Sequence, residues 1–346
     1  MTQIPEPQIE STLIIDMARG HEMSQALSTA IDCDIFTLCQ LPKTANEVSQ
    51  SLGTNYDMTK RFLNVLVALQ LLIKQEDKYV NTALANTFLV KGEDFYQGNL
   101  IKLWASGYAL WPKLGEVLKE GIKKVWTPET SEEMANVFDP TFTLAMAEYA
   151  MCGGVQAVAK TVSGFPEFRR AKRLLDLGGG TGIYSITLAQ LKPDLGVTVF
   201  DIPPVLEITK EFISRYKMEG RVGLMGGDYM KDDFGAGYDI ILASHSLYNP
   251  KKVLSPTLKK IYDALNDDGS VILNHWTVNS DGAGHQIIVL WDLWLWLMSY
   301  EHSLYTKDEY SDLLKEAGFS VPHIVDISIP SYLSTIVLGK KEAGWK

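Results

Sequence analysis

Three acids, each set beside glycine or at the end of an apolar run, hold the most chemical information in this chain. Asp176 opens Asp176-Leu177-Gly178-Gly179-Gly180-Thr181-Gly182, which follows Arg173-Leu174-Leu175 and runs into Ile183-Tyr184-Ser185-Ile186-Thr187-Leu188-Ala189. That pattern reads as a strand turning sharply into a helix. The glycines permit positive φ and a close approach to a ligand, and the first helical turn offers unpaired N–H groups. Asp201 ends the β-branched and aromatic run Val197-Thr198-Val199-Phe200-Asp201, 25 positions beyond Asp176, where an acid can accept both hydrogen bonds of a ribose diol. Asp228 lies in Gly226-Gly227-Asp228-Tyr229, after a short strand at about 221–225, and brings an acid and an aromatic ring to the mouth of the same sheet. Adenine fits such a place, so the three acids together point to a nucleoside-bearing ligand.

The elements that must position these acids alternate as strand and helix from about residue 169 onward, the pattern of a doubly wound sheet. Asp239-Ile240-Ile241-Leu242-Ala243 and Ser270-Val271-Ile272-Leu273-Asn274 read as further strands, separated by a helix over 254–265. Residues 322–328 and 331–339 read as two strands joined around Pro330, a terminal hairpin that a dinucleotide dehydrogenase does not normally show. Upstream, Thr44-Ala45-Asn46-Glu47 has the threonine-to-glutamate spacing of a capping box, and a helical apolar repeat runs through Phe62, Val65, Leu66, Leu69 and Leu72. Leu72-Ile73-Lys74 and Lys78-Tyr79-Val80-Asn81 flank Gln75-Glu76-Asp77 as a small hairpin. These features predict a winged-helix module, all-helical apart from that hairpin. Between the two regions, residues 95–168 are helical and rich in aromatics, with Trp104, Tyr108, Trp111, Trp126, Phe138, Phe142 and Tyr149.

With 346 residues and 46% hydrophobic content, the chain can bury two substantial cores. Its formal net charge of −10 argues against nucleic acid as a partner, the winged helix notwithstanding. Cys33, Cys39 and Cys152 lack metal-ligand spacing and suit reduced thiols in the cytoplasm. Met1-Thr2-Gln3-Ile4-Pro5-Glu6-Pro7 has no basic region followed by an apolar run, so no signal peptide is expected. The most apolar segment, 287–298, is interrupted by Asp292 and too short to span a bilayer; it reads as a buried helix.

The glycine loop, the run Phe200-Asp201-Ile202-Pro203-Pro204-Val205 and Gly227-Asp228-Tyr229 resemble the motifs of class I S-adenosylmethionine-dependent methyltransferases. Specifically, the chain resembles, over nearly its whole length, the O-methyltransferase family of plant phenolic, hydroxyindole and bacterial polyketide enzymes. The resemblance implies an α/β fold: a Rossmann-like domain with a mostly parallel seven-stranded sheet and C-terminal hairpin at 169–346, a winged-helix dimerisation domain at 1–95, and a helical substrate-chamber layer at 96–168. It implies S-adenosylmethionine as cofactor and no metal. Asp176 and the backbone of Gly178 and Gly180 would hold its amino-acid end, Asp201 the ribose, Asp228, Tyr229 and Ile202 the adenine, and Ser244 would sit beside the sulfonium. It further implies a cytoplasmic homodimer acting on a small molecule, with neither nucleic acid nor membrane as partner, and makes Phe142, Met146, Tyr149 and Trp296 candidate acceptor contacts.

One departure from the family bears on the chemistry. Family members place a His-Asp-Trp triplet after the fourth core strand, the histidine acting as base; here the run is Ser244-His245-Ser246-Leu247-Tyr248-Asn249-Pro250, and the base position holds Tyr248. A phenol with an ordinary pKa near 10 accepts protons poorly at neutral pH. Tyr248 is then either the acid/base group or an orienting one. His275 follows the next strand and either faces the acceptor or packs; His245 is a second base candidate or a strand cap. His285, Val289, Asp292, Trp296 and Ser299 share a helix face, and Asp292 there is either a substrate contact or half of an ion pair. Trp291, Trp294 and Trp296 are packing residues or cation–π partners of the sulfonium. An oxygen or carbon acceptor on an aromatic or cyclic metabolite is expected, with S-methylation of a thiol or thioether, and a regulatory protein without turnover, as alternatives.

Overall fold

The N-terminal elements follow their local signals. Thr44 accepts a hydrogen bond from Glu47 N–H while the Glu47 carboxylate accepts from Thr44 N–H at 2.7 Å, opening the helix Ala45–Leu52, which ends at Gly53 with φ 64°. Asn55 caps the following helix, Tyr56–Ala68. These features belong to a computed structural model that describes residues 7–122, 139–320 and 322–342; Trp126 and Phe138 lie outside the described residues. The chain divides into two compact units between Ser106 and Gly107.

In the first unit the expected hairpin forms from β2 (Leu72–Gln75) and β3 (Lys78–Asn81), and a further strand, β1 (Lys43–Thr44), pairs with β3 to give the order β1-β3-β2. The module is therefore not all-helical beyond the hairpin. Lys43 and Thr44, the second of them the cap residue itself, carry no strand signal; their pairing with Tyr79 and Lys78 comes from tertiary placement. Phe36, Val48, Leu63, Leu66, Leu72 and Tyr79 form the core of this unit.

The second unit is built on a seven-stranded sheet in the order β11-β12-β8-β7-β4-β5-β6. Its strands are β4 (Arg173–Leu177), β5 (Gly196–Asp201), β6 (Val222–Gly226), β7 (Tyr238–Ser244), β8 (Leu265–His275), β11 (His323–Asp326) and β12 (Thr335–Lys340). β12 alone runs antiparallel to its neighbours. A separate two-stranded parallel pair joins β9 (Thr277–Val278) to β10 (Tyr305–Thr306). Successive residues alternate between two apolar layers: Ile240 and Leu242 of β7 join the core with Leu174, Ile186 and Ile272, whereas Ile241 and Ala243 join that with Leu175, Leu258 and Leu273. Both faces are covered, which explains why these strands read as unbroken apolar runs.

Strand order reverses at β4, with β5 and β6 on one side and β7 and β8 on the other, so the carboxyl edge there is the topological switch point where open α/β sheets bind ligands. The apolar helix Gln286–Leu297 is less covered than its composition predicts: only Ile288, Trp294 and Leu297 are fully buried. No helix among the described residues is long and apolar enough to cross a membrane.

Candidate active site

Gly178, Gly180 and Gly182 all take positive φ, at 68°, 57° and 72°, between β4 and the helix Ile183–Leu191. A Cβ on Gly178 would lie 2.6 Å from Ser246 Cβ, so both conformation and space require glycine there. Asp201 fastens the loop. Its Oδ2 accepts from Gly180 N–H and its Oδ1 from Ile202 N–H, each at 2.8 Å. Thr209 Oγ1 donates to the Gly180 carbonyl at 2.6 Å from the opposite side. Asp176 lies beneath the loop with no exposed surface; Ser185 Oγ donates to its Oδ2 at 2.6 Å, and Oδ1 has no hydrogen-bond partner. Burial pushes Asp176 up to about 7, opposed by the Ser185 hydrogen bond and reinforced by Asp201. Burial likewise pushes Asp201 up to about 6 against its two N–H donors. Both acids gain from a ligand that brings donors or positive charge.

Past β6, Asp228 Oδ1 accepts from Met230 N–H at 2.9 Å, while Oδ2 faces Lys231 Nζ at 3.2 Å. Ile202, Val205 and Met230 form a small apolar cluster beside Asp201. Met230 carried no signal in the sequence, because nothing in its neighbourhood repeats. The Tyr229 hydroxyl is not free for a ligand: it lies 2.9 Å from both the Ser246 carbonyl and Asn249 Oδ1.

After β7 the chain bends at His245, a non-glycine residue at φ 52°, a conformation that costs on the order of 1 kcal/mol and survives only where surroundings hold it. His245 Nδ1 is 2.7 Å from the Tyr248 hydroxyl and Nε2 is 2.8 Å from the Tyr332 hydroxyl. Tyr248 also accepts from Trp276 N–H at 2.9 Å. Tyr332 lies 2.9 Å from both the Tyr184 hydroxyl and Asn274 Nδ2, and Asn274 donates to Ser244 Oγ at 2.7 Å. Ser244 is thereby tied to the network at the end of β7. Burial pushes His245 down to about 3 and raises the Tyr248 phenol well above its usual range.

His275 is enclosed in the fold. It is 1% exposed, and its Nε2 accepts from Leu247 N–H at 3.0 Å, which fixes the turn ahead of Tyr248. Burial and the neighbouring His245 hold it well below the ordinary histidine range. Asp292 has a histidine partner while its side chain stays 37% exposed: its Oδ1 is 2.9 Å from His302 Nε2, and His302 Nδ1 is 3.0 Å from the Tyr300 carbonyl. His302 gave no sequence signal, and Trp296 packs its ring 5.3 Å from it.

Phe142, Met146 and Tyr149 share one face of the helix Pro140–Met151 at i, i+4 and i+7, and all three are half-buried. Ring centroids run from Phe142 to Trp291 at 6.3 Å, to Trp276 at 5.7 Å, to Tyr149 at 5.9 Å and to Tyr332 at 5.2 Å. An aromatic wall thus ends on the His245–Tyr248 pair. Trp294 packs on Trp291 at 4.9 Å, with Gly107 against its Nε1.

Residues 113–320 match the O-methyltransferase domain, and residues 15–91 match the O-methyltransferase dimerisation domain. An uncharacterised protein of Methanocaldococcus jannaschii is 30% identical over 318 residues, covering 87% of this chain and 82% of its own length. A 3-hydroxy-5-methyl-1-naphthoate 3-O-methyltransferase of Streptomyces sahachiroi is 27% identical over 97% of both chains. Human N-acetylserotonin methyltransferase, solved in complex with S-adenosylmethionine, shares the fold with a TM-score of 0.82 at 23% identity, over 99% of this chain and 100% of that one. These matches do not favour the thiol-directed or non-catalytic alternatives. With an intact glycine loop and the acids Asp176, Asp201 and Asp228 at the switch point of its sheet, the chain belongs to the O-methyltransferase family and is an S-adenosylmethionine-dependent methyltransferase.

Proposed function

We propose that the protein methylates an oxygen or carbon of a small aromatic or cyclic metabolite, working as a homodimer in the cytoplasm. The observation that carries this reading is the aromatic wall Phe142–Trp291–Trp276–Tyr149, which leads to the end of β7, where Ser244 would flank the reacting methyl. Flat apolar rings bury well against such a wall and prefer tilted or edge contacts of about 0.5–1.5 kcal/mol each beyond area burial. The naphthoate named for the Streptomyces relative is a ligand of this shape.

The residues present fit the cofactor. The orphaned Oδ1 of Asp176 and the raised pKa of Asp201 mark places where an ammonium group and a ribose diol would be satisfied. Asp176, Gly178 and Gly180 would hold the amino-acid end, Asp201 the ribose, and Asp228, the Tyr229 ring, Ile202 and Met230 the adenine. When bound, the cofactor supplies an electrophilic methyl on a sulfonium. The protein's part is to hold the acceptor in line with it and exclude water, which accounts for most of the advantage in such a displacement. Tyr248 and His245 would orient the acceptor atom.

The homodimer is supported by the dimerisation-domain match and by the helix Thr12–Asp32, which leaves Leu13, Ile14, Ile15 and Met17 between 51% and 71% exposed. Incubation with deuteromethyl-labelled cofactor and a panel of hydroxyarenes, cyclic carbon nucleophiles, thiols and thioethers, read by mass spectrometry, tests the acceptor class. Label in the hydroxyarenes or cyclic carbon nucleophiles supports the reading; label confined to thiols or thioethers overturns it.

A further inference from the structure

Each histidine nitrogen that can accept a proton at the end of the aromatic wall is already engaged. His245 is held between Tyr248 and Tyr332 at 2.7 and 2.8 Å, and His275 Nε2 accepts from Leu247 N–H. His302 faces the Asp292 carboxylate and the Tyr300 carbonyl with its two nitrogens. A neutral His245 can satisfy its partners in two ways. In the first, Tyr248 donates to Nδ1, Nε2–H donates to Tyr332, and Tyr332 passes its own proton to Tyr184. In the second, Nδ1–H donates to Tyr248, and Tyr332 donates to Nε2 while accepting from Asn274 and Tyr184.

The second arrangement has a chemical consequence. The Tyr248 oxygen then accepts from both Trp276 N–H and His245, and its own proton has no acceptor among the described residues. Tyr248 is partly exposed although it lies deep in the fold, and a ligand oxygen reaching its hydroxyl would accept that proton. The Trp276 ring lies 6.4 Å from that of Tyr248 and is 6% exposed, with its side chain toward the Tyr149 hydroxyl. The titratable groups packed about Tyr248 are His245, His275, Tyr149, Tyr310 and Tyr332, and burial favours the neutral form of each. Among the described residues, the site offers the Tyr248 hydroxyl as a donor and no free base.

We propose that the acceptor is a hydroxyarene or enol acidic enough to reach the site as its oxyanion, and that Tyr248, oriented by His245 and Tyr332, donates a hydrogen bond to that oxygen. This rests on the aromatic-acceptor reading above and narrows it. A lone pair of the oxyanion forms the new C–O bond as the methyl–sulfur bond breaks, its electron pair stays on the neutral thioether, and no proton moves. Tyr332 acts as a positioning residue, through His245.

The test uses hydroxyarenes of matched size and graded acidity, with kcat/KM followed against pH. A nitrophenol is also titrated by absorbance against the wild-type protein loaded with S-adenosylhomocysteine. The expected result is a break in each profile at the acceptor's own acidity, moving from one acceptor to the next, with the nitrophenol bound as phenolate and acidified about tenfold or more. Tyr248→Phe is expected to lose most of that acidification, and Tyr332→Phe part of it, while the kinetic break still follows the acceptor. A break at one pH common to all acceptors, or binding of the neutral nitrophenol, overturns the inference alone. Methylation of thiols only overturns the parent reading and this one with it.

Discussion

Asp201 shows how much one side chain can do in this fold. Its carboxylate fixes the Gly180 loop and Ile202 with one oxygen each, so Asp201→Asn turns one acceptor into a donor facing an N–H and takes the charge from the other bond, a loss of about 1.5–3 kcal/mol each. Cofactor affinity is expected to fall roughly 10- to 100-fold, measurable by calorimetry. A pH dependence follows from the same residue. Unfolded carboxyls titrate near 3.9, whereas Asp201 and Asp176 are raised to about 6 and about 7. The folded state holds these protons more tightly, so their stabilisation is complete below about pH 4 and is lost as pH rises through 6 to 7. A cationic, diol-bearing cofactor prefers the ionised acids, so its binding strengthens over the same range. The rise in melting temperature on adding S-adenosylmethionine is expected to be larger at pH 8 than at pH 5.5, and an equal rise would contradict these titrations.

The three acids were readable in the sequence because each sits in a short local pattern, glycine-flanked or strand-terminal. Tyr332 was not. It lies 87 positions from His245, in a turn between two strands, and only the folded sheet brings its hydroxyl within 2.8 Å of that ring. The pairing of Asp292 with His302, ten positions on, escaped notice for a related reason: the helix ends between them, so no helical spacing relates them.

At the scale of elements, strands and caps were legible because their periodicities and cap residues are local signals, as at Thr44 and through β4, β5 and β7. The covering of the helix Gln286–Leu297 was not, since a helix apolar all round does not say which faces find a neighbour. The C-terminal hairpin of β11 and β12 holds Tyr332 in place, and Asn274 of β8 and Tyr184 meet it there. Tyr332→Phe removes a fully buried hydroxyl serving three partners, and a loss of about 1–3 kcal/mol in urea unfolding is expected. The N-terminal helix Thr12–Asp32 gives a second prediction. Ile14 and Met17 are 71% and 65% exposed, and replacing both with glutamate puts charge on an apolar surface without disturbing a core. Light scattering is expected to show a dimer becoming a monomer; a wild-type monomer, or a mutant that stays dimeric, would contradict the role given to this surface.

For the molecule as a whole, the alternation of core residues between two covered faces makes the sheet the rigid platform for the site. Leu242 is fully buried in β7, and Leu242→Ala is expected to cost about 2–5 kcal/mol and to lower activity through loss of folded protein rather than a changed KM. The acids at the switch point, the aromatic wall and the tyrosine–histidine network share one edge of that platform, which joins cofactor binding to acceptor binding. The most direct test of that union is the atom that receives the methyl group. With 13C-methyl-labelled S-adenosylmethionine and a hydroxynaphthalene acceptor, carbon NMR of the product distinguishes methoxy, ring-methyl and thiomethyl carbons by chemical shift. A methoxy or ring-methyl signal, abolished by Asp201→Asn at low cofactor concentration and restored at high, is the predicted result. No labelled arene under conditions where a thiol becomes labelled would contradict the account.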